Sequence, residues 1–90
     1  MRIVRTLILK NELGLHARAA VKIVNVAKQY VCDIFLERDG IIVNGRSILG
    51  IMTLACPKGG ALTVTAEGED AEAAVAALEK LIENRFGEEG

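Results

Sequence analysis

The chain of 90 residues has no tryptophan, one tyrosine, two phenylalanines, one proline, two cysteines and a single histidine. So few aromatics exclude a base-stacking nucleic-acid reader, because Tyr30, Phe35 and Phe86 are not interleaved with the basic residues as a stacking platform requires. Cys32 and Cys56 lie far apart without metal-ligand spacing, and one histidine does not complete a zinc set with them; no metal is expected, and both thiols read as reduced and packed. No apolar run reaches the roughly 18 residues of a membrane span. The opening "MRIVRTLILK" is broken by Arg2, Arg5 and Lys10 and does not read as a signal peptide. No membrane partner and a cytoplasmic location follow as expectations. A glycine-rich nucleotide loop is also missing, since "NGRS" and "PKGG" lack the P-loop spacing. No cofactor is expected, and any phosphate the protein handles must arrive from another protein.

What is present is a folded chain. Hydrophobic residues make up 51% and charged residues 26%, the balance of a single small domain over residues 1–90 that can bury its own core. Net charge is -1, but its signs are segregated along the chain. Residues 1–32 carry six Lys or Arg against Glu12 alone, and residues 67–90 carry eight acids against Lys80 and Arg85. A basic face near His16 and an acidic face at the C-terminal end are expected, the former suited to a protein partner or a phosphate.

The elements follow from periodicity. "RIVRTLIL" alternates as a strand with its more apolar face at Leu7 and Leu9. "KNELG" connects it to a helix beginning at Ala17, with Ala20, Ile23, Val24 and Ala27 on one face and Lys22 and Lys28 available to water. "CDIFLER" and "IIVN" flank the Asp39-Gly40 turn, predicting a hairpin over 32–44. Ser47 precedes Ile48, Leu49, Ile51 and Met52, which suits a short serine-capped helix ended before Pro57. "ALTVTAE" is a further strand; Asp70 then caps a helix whose Ala71, Ala74, Val75, Leu78, Leu81 and Ile82 form one apolar stripe. The order βαββαβα, with alternating strands, predicts an α+β fold with an antiparallel sheet covered on one face by three helices.

His16 stands where the first helix begins. The free NH groups there and the helix dipole stabilise an anion near the side chain and favour a neutral imidazole. A neutral ring nitrogen is a nucleophile, and a phosphoryl group is one of its targets. Arg18 adds a cation with a bidentate donor fork, and Gly14 tolerates the positive backbone angle of a tight approach. A Ser-His-Asp triad needs an acid to orient His16, which nothing local supplies; distant acids stay open. Ser47 reads as an N-cap that also tolerates a phosphate, because a dianion suits a helix start. Ile48, Leu49 and Met52 are too many apolar side chains for so short a helix to bury on one side, which makes part of that set a candidate docking patch.

"GLHARAA", "VNGRSILGIM" and the following "LTVTAEG" together resemble the HPr family, the histidine phosphocarriers of the bacterial phosphoenolpyruvate-dependent phosphotransferase system, over nearly the whole chain. The resemblance implies an open-faced β-sandwich with a four-stranded antiparallel sheet in the order 1-4-2-3. It also implies a carrier, not an enzyme in its own right, in which His16 accepts a phosphoryl group on Nδ1 from phosphorylated enzyme I and passes it to sugar-specific A components of permeases. Arg18 would neutralise the phosphate and the NH groups of Ala17 and Arg18 would hold its oxygens. Ser47 matches a serine modified by HPr kinase/phosphorylase, and Ala17, Val21, Ile48, Leu49 and Met52 fall where partners dock. A monomer is expected. The alternatives are a nitrogen-related regulatory phosphocarrier and a regulatory binding module acting through phospho-Ser47. One departure stands out: family members usually carry proline where this chain has Ala19. Its restored NH is expected to hydrogen-bond the His16 ring or its phosphate.

Overall fold

The computed structural model describes residues 1–90. Four strands, β1 (Arg2–Ile8), β2 (Asp33–Arg38), β3 (Ile41–Asn44) and β4 (Ala61–Glu67), alternate with three helices, α1 (Ala17–Ala27), α2 (Ile48–Thr53) and α3 (Ala71–Glu83). All pairings are antiparallel, and the sheet order is β1-β4-β2-β3, as the resemblance implied. The last strand in sequence is thus inserted between the first and the second.

Alternation decides the two faces of the sheet. Leu7 on β1, Ile34 and Leu36 on β2, and Leu62, Val64 and Ala66 on β4 are buried beneath the helices, where they meet Ala20, Ile23 and Val24 of α1 and Ala74, Val75, Leu78 and Ile82 of α3. The opposite face carries Val4, Thr6, Thr63, Thr65, Phe35 and Ile42, with the Thr6 and Thr63 hydroxyls 3.0 Å apart across the ladder. The Asp39-Gly40 turn forms as expected: both residues take positive φ, 51° and 80°, which matches the right-handed twist of the flanking strands.

Two expectations change. The basic N-terminal third and the acidic C-terminal third are partly joined, because β1 and the residue pair after it lie beside β4 and α3. Arg2 meets Glu67 at 3.2 Å, Arg5 meets Glu79 at 2.8 Å, and Lys10 meets Glu83. These pairs are exposed, so each contributes little to stability; they engage Arg2, Arg5 and Lys10 and leave Arg18, Lys22 and Lys28 without an ion pair.

Asp70 begins α3 without capping it through its side chain. Its carboxylate reaches across to the segment before β2 instead, accepting from the NH groups of Val31 at 2.8 Å and Cys32 at 2.9 Å. The Val31 bond, aided by Cys32, outweighs partial desolvation and holds the Asp70 carboxyl below its ordinary pKa. A carboxyl with a lowered folded pKa stabilises the fold above the usual Asp range, and that contribution is lost as pH falls through the lowered value. Melting temperature is therefore expected to drop with acidification over that window. In Asp70→Asn the melting temperature should be lower at neutral pH and should change less with acidification; an Asn variant with an unaltered acid profile would contradict this.

Both cysteines are buried and unpaired. Burial pushes each thiol up from its usual pKa, which keeps it protonated and inert.

Candidate functional site

The loop joining β1 to α1 is fixed by the segment that precedes β4. Leu9 exchanges backbone hydrogen bonds with Gly59 and Gly60, and the Leu15 NH donates to the Cys56 carbonyl at 2.9 Å. Gly14 lies between these ties with φ +63°, and a Cβ on it would stand 2.5 Å from the Cys56 carbonyl oxygen and 2.9 Å from Pro57 Cα. Only glycine satisfies both the angle and the approach. His16 follows as the N-cap residue of α1 in extended conformation, so its side chain leaves the helix start while its carbonyl accepts the Ala20 NH at 2.9 Å. The NH groups of Ala17, Arg18 and Ala19 have no backbone or side-chain acceptor. The helix start is therefore an open set of donors, as the sequence predicted.

The His16 ring makes no cap hydrogen bond, so the Ala19 NH does not anchor it. Its partner is a carboxylate that the sequence reading did not single out: Nε2 hydrogen-bonds Glu88 Oε2. Glu88 Oε1 accepts from Asn11 Nδ2 at 3.0 Å, and the same Nδ2 donates to the Gly14 carbonyl at 2.8 Å. Asn11 is fully buried, and its Oδ1 has no partner. Burial on its own would raise the Glu88 carboxyl; the hydrogen bonds from Asn11 and His16 outweigh it and keep the carboxyl below its ordinary pKa.

Glu88 reaches His16 because the chain reverses after α3. Arg85, Phe86 and Gly87 all adopt positive φ, 56°, 56° and 77°. Two non-glycine residues in that region are costly, and the buried Phe86 ring, together with the Lys22 ammonium on the Phe86 carbonyl, holds them there. "RFGEEG" offered one faint sequence signal: a lone phenylalanine followed by glycine beyond the end of an apolar stripe marks a docked chain reversal.

His16, Ala17, Arg18 and Glu88 line one open cavity of about 450 Å³, together with Glu12, Leu13 and Gly90. Arg18 makes no ion pair or hydrogen bond, which leaves its guanidinium available to an anion at the donors of α1.

Ser47 is the N-cap of α2, its Oγ accepting the Gly50 NH at 3.0 Å, and it does not line the His16 cavity. Ile51 is the one α2 side chain driven fully into the core; Ile48, Leu49 and Met52 stay exposed, as does Val21 on the adjoining α1. Ala17 is exposed as well. All five residues implied in docking are thus accessible on the α1/α2 side of the molecule. Arg46, beside Ser47, had not been singled out. Its Nη2 donates to the carbonyls of Ala27 at 2.9 Å, Tyr30 at 2.6 Å and Cys32 at 3.0 Å, gathering the end of α1 and the start of β2.

The described geometry coincides with a known family. The family model for the PTS HPr component phosphorylation site matches residues 3–84. The chain is 42% identical over 87 residues to the phosphocarrier protein HPr of Treponema pallidum (strain Nichols), covering 97% of this chain and 99% of that protein. It is 48% identical over 79 residues to the phosphocarrier protein HPr of Pseudomonas aeruginosa, covering 87% and 88%. Among solved structures, HPr-C-His from Thermoanaerobacter tengcongensis superposes with a TM-score of 0.93 at 43% identity, covering 98% of this chain and 99% of that one. With sequence, topology and domain length in agreement, the chain belongs to the HPr family of phosphocarrier proteins of the phosphotransferase system.

Proposed function

We propose that the chain is a transiently phosphorylated carrier in which His16 accepts a phosphoryl group on Nδ1 from phosphorylated enzyme I and passes it to sugar-specific A components. The observation that carries this reading is the arrangement of a partly exposed His16 at the start of α1, beside three unpaired NH groups and an uncommitted Arg18, in one open cavity. Nδ1 supplies the lone pair, the NH groups of Ala17 and Arg18 hold the phosphoryl oxygens, and the guanidinium balances their charge. No helix is long and apolar enough to cross a membrane.

Ser47 is the regulatory position in this reading. A phosphate on its Oγ would lie at the start of α2 beside exposed Ile48 and Leu49, where a dianion disfavours an apolar, acidic partner surface by desolvation and like-charge repulsion.

Incubation with enzyme I and phosphoenolpyruvate should place acid-labile phosphate on the wild-type chain and none on His16→Ala. Ser47→Asp should be labelled more slowly. Labelling that persists in His16→Ala would overturn the assignment, and an unchanged rate in Ser47→Asp would remove the regulatory part alone.

A further inference from the structure

Glu88 has one oxygen on Asn11 and the other on the His16 ring. An ionised carboxylate only accepts, so Nε2 must be the ring nitrogen that carries hydrogen. Asn11 has both Nδ2 protons committed, to Glu88 and to the Gly14 carbonyl, and its Oδ1 is left buried without a donor. That orphan oxygen is a price the interior seldom tolerates, and here it accompanies the aiming of a donor at Glu88.

We propose that Glu88 is a positioning carboxylate for His16: held by Asn11, it keeps the proton on Nε2 and thereby presents Nδ1 with a free lone pair to the incoming phosphoryl group. The inference rests on the carrier reading above. In the transfer step the Nδ1 lone pair forms the new N–P bond, and the bond from phosphorus to the donor protein's atom breaks with its electron pair returning to that atom. The Nε2 proton stays in place, so the ring gains positive charge as the N–P bond forms. Glu88 faces that charge directly, while Arg18, which lines the same cavity and has no ion pair, is left to the phosphoryl oxygens.

The two contributions separate experimentally. The ring ¹⁵N shifts of unphosphorylated His16, recorded with the imidazole neutral, should show the Nε2–H tautomer in the wild-type protein and a mixture in Glu88→Ala. Transfer from phosphorylated enzyme I should slow about tenfold in Glu88→Ala. Glu88→Gln offers one acceptor where the carboxylate offers two, so it cannot serve Asn11 and Nε2–H together; it should mix the tautomers and slow transfer as well. Glu88 lies outside the hydrophobic cluster but serves the buried Asn11, so a cooperative melt and wild-type far-UV circular dichroism, not an unchanged melting temperature, show both variants folded. A wild-type tautomer or a wild-type rate in Glu88→Ala would overturn the proposal. The ¹⁵N reading needs no phosphoryl donor, so it stands or falls independently of whether His16 is the acceptor; absence of label on the wild-type chain would instead defeat the carrier reading.

Discussion

Replacing Gly14 by alanine is expected to lower stability by about 3 kcal/mol, combining a left-handed backbone angle with a Cβ driven into the backbone of Cys56 and Pro57. For a domain of this size that corresponds to a fall of roughly 15 °C in melting temperature. Phosphoryl acceptance should suffer beyond the loss of folded protein. Relief of the clash separates the Leu15 NH from the Cys56 carbonyl, and His16 is the next residue along. Displacing a reacting atom by an ångström is enough to slow a reaction about a hundredfold. Gly40 supplies the control: its φ is +80°, but nothing lies within 4 Å of a Cβ there. Gly40→Ala should cost only about 1 kcal/mol and leave labelling of His16 unchanged. Equal melting temperatures for the two variants would show that the contact with Cys56 and Pro57 is unimportant.

Arg46→Met should cost about 2 to 3 kcal/mol, read as a lower denaturant midpoint with an unchanged slope. One guanidinium nitrogen serves three carbonyls, those of Ala27, Tyr30 and Cys32, and methionine fills similar volume without any donor. Arg46→Lys keeps the charge but offers a compact ammonium in place of a planar fork, and should recover less than half of the loss. A midpoint for Arg46→Met within error of wild type would mean that water satisfies these carbonyls equally well. The same geometry bears on Ser47. Only Nη2 is committed to the end of α1, so Nε and Nη1 of the same guanidinium are left to face a phosphate on the neighbouring Ser47.

The strands and helices were legible because their periodicity is strong and their turns carry distinctive residues. The Asp39-Gly40 pair gave the hairpin, and the stripe from Ala71 to Ile82 gave α3. The 1-4-2-3 order came from the resemblance, since alternation alone says which face of β4 is buried and not between which strands it lies. His16, Arg18 and Ser47 were readable because each owes its position to a helix start, a local feature. Asn11, Glu88 and Arg46 were not, because their partners lie elsewhere in the chain: Glu88 is 72 positions from His16, and Arg46 is 14 to 19 from the carbonyls it holds. Asp70 shows the same limit from the other side. It stands where a capping aspartate belongs, yet tertiary packing turned its carboxylate toward Val31 and Cys32. The charge segregation was real in sequence, and folding joined part of its two halves where β1 meets β4 and α3.

The ties that shape the site come from three stretches of chain: the loop around Gly14, the backbone of Cys56 and Pro57, and the reversed segment bearing Glu88. No fragment that lacks one of them can reproduce the pocket, and a molecule that has opened locally at any of the three loses it. Unfolded copies present His16 as an ordinary exposed imidazole with neither donors nor countercharge arranged about it. Under the proposed carrier role, phosphoryl groups should therefore pass through native molecules, and damaged or immature copies should drop out of the relay without draining it.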